Sequence, residues 1–253
     1  MEMLWRRDLG RRVTREVTFR IGSVVGHRSH ELFALVGHAR TGSNYVLRGL
    51  TTASTVRVYN EPFAQHNRGP GRSFDEVMST IAGRQPFSIR VVGFKVFYYH
   101  LSDAEWSMLV GVPALRVVHL TRRNRLRTVV SLAIAMKTDR WTGTHGSVSV
   151  DERRVTLDVT TLIRRLEEIE AAERIARRRL AGVNVFELVY EDLLADPLHF
   201  FEQVGRFLAI NGLDIDKITL PRQNPEALAD LIENFDDVKT CLVGSRFASY
   251  LRD

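Results

Sequence analysis

A three-layer α/β sandwich, with a mostly parallel central sheet flanked by helices, is the fold predicted for this chain of 253 residues. Three observations predict it. Leu32 to Gly37 (LFALVG) is an apolar run without polar alternation, as a strand buried on both faces requires. Short β-rich runs alternate with helical patterns from about residue 31 to 210, which implies right-handed crossovers onto one parallel sheet. The first run also ends in a glycine-bounded turn that leads straight into a helix.

The remaining elements follow in order. Thr55 to Tyr59, Ile89 to Phe97, Leu115 to Leu120 and Val183 to Val189 share the β-branched character of strands. Arg125 to Met136 reads as a helix, with Leu126, Val129, Val130 and Ala133 at three-four spacing. Asp158 or Thr160 caps a longer helix that runs to Leu180 and stops at Gly182, with Leu162, Leu166, Ile169 and Leu180 on one stripe. Arg174, Arg177 and Arg178 fall away from that stripe, opposite Glu167, Glu168, Glu170 and Glu173, and read as a solvated face. Asp196-Pro197 starts an amphipathic helix that continues to Leu208. Gly69-Pro70-Gly71 and Thr142 to Gly146 are the expected mobile loops.

Residues 31–253 are expected to form one domain behind a basic segment, 1–30. That segment carries Arg6, Arg7, Arg11, Arg12, Arg15 and Arg20 without the apolar stretch of a signal peptide, so it reads as a solvated terminus. No apolar run approaches the roughly 18 residues of a membrane span. Cys241 is the only cysteine, which excludes an intrachain disulfide and a cysteine metal cluster, and the chain is expected to be cytoplasmic. The formal charge of +6 admits nucleic acid, an anionic surface or a small anion as partner. A nucleic-acid-binding module lacks support, because no aromatic-basic repeat or reading helix is visible.

The turn after the first strand is the most informative segment. Gly37-His38-Ala39-Arg40-Thr41-Gly42-Ser43-Asn44-Tyr45 places a glycine at each end of a five-step span between strand and helix. That is a P-loop-like layout, in which backbone N–H groups meet an anion at the helix N-terminus. Ser43 stands where an ATPase needs lysine and Asn44 where it needs the magnesium-binding hydroxyl, which argues against the alternative of a small-molecule or nucleotide kinase. The loop's own means of holding a phosphate are its N–H groups, the Thr41 and Ser43 hydroxyls and the Arg40 guanidinium. A second basic group, Arg122-Arg123-Asn124-Arg125-Leu126-Arg127, also follows a strand, so both loops open at the carboxyl edge of the sheet. Arg123 before the helix and Ser131 two turns into it suit a separate phosphate; Arg125 and Arg127 are given no role beyond surface charge. Two such elements suggest a nucleotide with phosphates at both ends of its ribose.

These residues resemble the sulfotransferases that use 3′-phosphoadenosine 5′-phosphosulfate (PAPS) and release 3′-phosphoadenosine 5′-phosphate (PAP). Arg40-Thr41-Gly42-Ser43 is similar to that family's 5′-phosphosulfate motif, and Arg123 with Ser131, eight residues on, to its 3′-phosphate pair. Asn60-Glu61-Pro62-Phe63, Gly93-Phe94-Lys95 and Tyr190 to Pro197 extend the match. Gln223-Asn224-Pro225 and Ile232-Glu233-Asn234-Phe235 resemble the bacterial branch that sulfates carbohydrates, the nodulation-factor and trehalose enzymes included. The resemblance spans about residues 31 to 251. It implies PAPS as cofactor, no metal, and transfer to a hydroxyl of a carbohydrate or glycosylated small molecule, with a homo-oligomer left open.

The resemblance also implies roles. Glu61 is the expected general base, with Arg40 and Lys95 stabilising charge at the transferring group. Arg40, Thr41, Gly42, Ser43, Asn44, Tyr45, Arg123 and Ser131 are expected to hold the nucleotide. Two departures stand out: Asn44 replaces the usual hydroxyl residue, and the arginine-lysine-glycine segment of the cytosolic branch is not visible, with Arg222 as its candidate substitute. Phe63, His100 and Trp141 are the expected acceptor contacts, and His100 competes with Glu61 as base, since the cytosolic branch uses a histidine after the corresponding strand.

Overall fold

The computed structural model describes residues 26–141, 149–218 and 223–252. Five strands, β1 (Glu31–Gly37), β2 (Val56–Tyr59), β3 (Val91–Phe97), β4 (Arg116–Thr121) and β5 (Asn184–Val189), form one sheet in the order β2-β3-β1-β4-β5. Every pairing is parallel. The longer helices are α1 (Ser43–Leu50), α2 (Phe74–Ile81), α3 (Asp103–Val110), α4 (Arg125–Thr138), α5 (Val159–Arg179), α6 (Tyr190–Ala195), α7 (Pro197–Leu208) and α8 (Phe235–Val243). The expected three-layer α/β sandwich is the one observed.

Both faces of the sheet are covered, which explains why β1 shows no alternation. Ala34 and Val36 point to one face with Val92, Phe94 and Val96, under Trp106 and Leu109 of α3. Phe33 and Leu35 point to the other, against Val46 and Leu50 of α1 and Phe201 and Val204 of α7. Burial of each large apolar side chain in these layers is worth about 1.5–3 kcal/mol. A third cluster joins Leu126 and Val130 of α4 to Leu162 and Leu166 of α5 and to Val238 and Leu242 of α8. Through it the C-terminal region is anchored beside the second basic loop. Gly93 is required by one close approach, since a Cβ there would lie 2.1 Å from the Phe33 ring.

Of the two candidates for the α5 cap it is Asp158 that serves, accepting from the Thr160 N–H, and at α7 Asp196 accepts from the His199 N–H as the sequence predicts. Strand β3 begins at Val91 rather than Ile89, because Ile89 N–H is turned back onto the Pro86 carbonyl. Four of these helices were not anticipated, α2, α3, α6 and α8; α2 and α3 open with a reciprocal capping box, Ser73 with Glu76 and Ser102 with Glu105.

Three charged residues depart from expectation. Arg174, Arg177 and Arg178 are exposed as expected, but Glu173 is buried and paired with Arg125, so it does not belong to the solvated face. Arg125 and Arg127 are not surface charges either. Arg127 is 7% exposed, and the Arg125 side chain lies between Glu170, Glu173 and Tyr250. No helix among the described residues is long and apolar enough to cross a membrane. Residues 1–25 of the basic segment, with all six of its named arginines, and the expected loop at Thr142 to Gly146 lie outside the described residues.

Candidate functional site

The carboxyl edge of the sheet opens into a cleft of about 960 Å³, walled by the β1–α1 turn, the segment after β2, the end of β3, and α4. In the β1–α1 turn Arg40 and Gly42 both take left-handed backbone, at φ 67° and 91°. Gly42 is obligatory: a Cβ would stand 2.3 Å from the Tyr190 ring, which packs directly on the turn. The turn ends at the N-terminus of α1, whose first N–H groups have no intrahelical acceptor and carry the positive end of the helix dipole. Ser43, Asn44 and Tyr45 line the cleft beside them. Thr41 does not: it is 1% exposed and its hydroxyl donates to the His38 carbonyl (2.8 Å), so it shapes the turn from within.

Lys95 links the turn to the candidate base. It occupies a buried position on β3, and its ammonium donates to Asn44 Oδ1 and reaches Glu61 Oε1, each at 2.8 Å. Burial pushes the Lys95 amine below the usual lysine range, with Glu61 pulling it back. Glu61 sits in the turn after β2 with φ 49°, an unusual backbone for a residue other than glycine. Its carbonyl holds that turn by accepting from the Ala64 N–H and the Asn67 side chain. The asparagine that replaces the usual hydroxyl residue thus has a place here, as the second acceptor for Lys95.

His100 flanks the same carboxylate, with Nε2 3.9 Å from Glu61 Oε2. Its Nδ1 accepts from the Phe97 N–H at 3.1 Å, which puts the imidazole proton on Nε2. Burial pushes its pKa down to about 4, against the opposing pull of Glu61. The ring is therefore neutral near pH 7, with its only lone pair already engaged.

The second basic loop is arranged differently. Arg123 points away from the cleft: its side chain is 63% exposed and pairs with Asp192 at 2.8 Å. Arg122 lines the cleft instead, buried, with its guanidinium 5.0 Å from the Tyr190 ring centroid and a hydrogen bond to the Arg40 carbonyl. Ser131 faces the cleft as expected, and its hydroxyl accepts from Arg40 Nε at 3.0 Å. Arg40 spans the opening, donating also to the Trp141 carbonyl and the Gln223 side chain, and burial lowers its pKa. Glu191 of α6 receives the Arg123 and Asn124 N–H groups and so secures the start of α4.

The remaining expected contacts divide. Trp141 is half exposed and lines the cleft, as does the well-exposed Tyr99. Phe63 borders the cleft but is 2% exposed and stacked on Phe74, so packing is its main task. Arg222 lies outside the described residues. Gln223, Asn224 and Arg122 line the cleft without a site role from the sequence, and Tyr99, in a segment expected to adjoin the site, lines it too. The Gln-Asn-Pro segment carries only a resemblance, and the eight-residue spacing to Ser131 points to Arg123 rather than to Arg122.

No protein-family model matches the chain, and no curated protein matches it. Among solved structures it is similar to a sulfotransferase from Alicyclobacillus acidocaldarius, at 17% identity over 88% of this chain and 94% of that one, with a TM-score of 0.51. Weaker likenesses are to a mouse sulfotransferase complexed with PAP (11% identity, 80% of this chain and 67% of that, TM-score 0.44) and to retinol dehydratase in complex with androsterone and inactive cofactor PAP (16%, 94% and 75%, 0.40). The first of these likenesses places the chain in the α/β fold of a sulfotransferase.

Proposed function

We propose that this protein transfers the sulfuryl group of PAPS to a hydroxyl of a carbohydrate or glycosylated small molecule, with Glu61 as general base. The observation that carries the reading is the single buried ammonium of Lys95, bonded at once to the phosphate-loop residue Asn44 and to Glu61. It joins the candidate base to the anion-binding turn at the distance of one side chain.

The donor set fits the nucleotide. Arg40, Ser43, the first N–H groups of α1 and Arg122 supply cationic and neutral donors to the cleft, and the Ser131 hydroxyl lies against Arg40. Tyr190, seated on Gly42, offers the turn no room to relax. When bound, PAPS supplies the activated sulfuryl group. Arg40 would release Ser131 to face the nucleotide, and Arg123 would join the 3′-phosphate contact only by giving up Asp192. Lys95 holds positive charge where negative charge must be accommodated. Glu61 would take the proton of the acceptor hydroxyl at Oε2, the oxygen turned toward His100. His100, with Nδ1 accepting from the Phe97 N–H and Nε2 3.9 Å from that oxygen, borders the carboxylate and is not the base in this reading.

The exposed aromatic faces of Tyr99 and Trp141, together with Asn60, Gln65 and His66 in the lining of the cleft, support an acceptor with both a ring face and several hydroxyls. The direct test is a thermal-shift comparison of PAP, ATP with magnesium, and buffer, followed by PAPS-dependent sulfation of a sugar panel. PAP should stabilise the protein and ATP should not; preference for ATP would replace this reading with a kinase.

A further inference from the structure

Beyond the two loops, one short segment closes the cleft on its C-terminal side, and its placement is built from buried charge. Residues 223–226 have no regular secondary structure of their own. Their backbone is held instead by guanidinium groups from two neighbouring elements. Arg127 of α4 donates to the carbonyls of Asn224 (3.3 Å) and Glu226 (2.9 Å). Arg153 donates to the Gln223 carbonyl (2.8 Å) and grips the Glu226 carboxylate with two nitrogens. Burying a guanidinium as fully as Arg127 is costly unless fixed acceptors meet it, and these carbonyls are such acceptors.

The clamp delivers two amide side chains to the cleft. Gln223 Oε1 accepts from Arg40, the cation of the phosphate turn, and Asn224 Nδ2 donates to the Ser131 hydroxyl at 3.3 Å. One dipeptide therefore touches both candidate anion elements. A primary amide brings N–H donors without charge, the chemistry that suits an oxygen of a phosphate already near cations.

We propose that Gln223 and Asn224 form a third wall of the nucleotide site, with Asn224 reading the 3′-phosphate beside Ser131, and that Arg127 and Arg153 are the positioning residues that hold this wall in place. The proposal rests on the PAPS reading above. It gives the chain a C-terminal nucleotide contact of amide rather than cationic character.

The test compares the affinities of PAP and 5′-AMP, which differ in the 3′-phosphate. The wild-type chain should prefer PAP. Asn224→Ala should weaken PAP about tenfold while 5′-AMP changes by less than about twofold, and Arg127→Met should give the same selective loss. A general loosening of the fold would lower both affinities together, so equal losses in either variant overturn the proposal, as does undiminished selectivity in Asn224→Ala. Asn224→Ala leaves the arginine clamp intact and decides the matter alone where Arg127→Met does not fold. A wild-type chain that does not prefer PAP shows that the PAPS reading itself has failed, and the proposal falls with it.

Discussion

The β1–α1 turn and the β4–α4 turn begin alike, each a basic loop between a buried strand and a helix, yet they deliver their side chains differently. In the first, Arg40, Ser43, Asn44 and Tyr45 all line the cleft and only Thr41 turns inward, on a turn against which the Tyr190 ring packs because Gly42 has no Cβ. In the second, the residue at the expected spacing, Arg123, lies on the surface with Asp192, while Arg122 and Arg127 are buried. A loop fixed by backbone packing transmits its motif directly into geometry. A loop whose adjacent residues are chemically identical leaves the choice between them to acceptors from elsewhere in the chain.

The sharpest way to test the first region is at the carboxylate it holds. Glu61→Gln should keep PAP affinity while sulfation falls by about 10²-fold or more, measured as PAPS-dependent turnover. Retained turnover would remove Glu61 as base. Gly42→Ala adds a methyl against the Tyr190 ring in left-handed backbone; a loss of about 1–3 kcal/mol in stability is expected by chemical denaturation, with weakened PAP binding. An unaffected variant would show that this turn is as adaptable as the other.

The second region is tested by its two neighbouring arginines. Arg122→Ala should weaken PAP by about 1.5–3 kcal/mol, the range for hydrogen bonds to charged groups. Arg123→Ala, which removes an exposed ion pair, should cost less than about 1 kcal/mol by the same titration. A larger loss at Arg123 would return the 3′-phosphate to it and show that the Asp192 pair opens on binding.

The smallest expected effect is a pH dependence at His100. Its folded-state pKa, near 4, lies below the ordinary value of about 6.5. Between those values the unfolded chain takes up a proton that the folded chain refuses, so stability falls as pH drops through that window. His100→Asn removes this contribution. Its melting temperature should therefore lose less than the wild type's between about pH 6.5 and 4, and its turnover should fall less than that of Glu61→Gln. Parallel pH curves would show that the imidazole is not held neutral by burial.

Much of this was legible in the linear chain. All five strands and the caps Asp158 and Asp196 are visible, because buried parallel strands are apolar throughout and caps act locally. The capping boxes at Ser73 and Ser102 carried a local signal that pattern reading passed over, since α2 and α3 are only eight residues long. The Asn60 to Phe63 and Gly93 to Lys95 segments marked Glu61 and Lys95, but not that one ammonium joins Glu61 to Asn44. Nor did the stripe on α5 show Glu173 inward, because its partner, Arg125, lies 48 residues away.

The sequence by itself determined the order of the strands, the helices that follow the first and fourth of them, the two capped by Asp158 and Asp196, and the position of two basic turns at one edge of the sheet, since strand burial, capping and glycine spacing act over a few residues. Only the tertiary structure decided which side chains face the cleft. Thr41 turned inward, Arg123 outward and Arg122, Gln223 and Asn224 to the cleft because hydrogen-bond acceptors and rings from distant segments compete for each of them. That competition is set by packing, and no spacing along the chain records it.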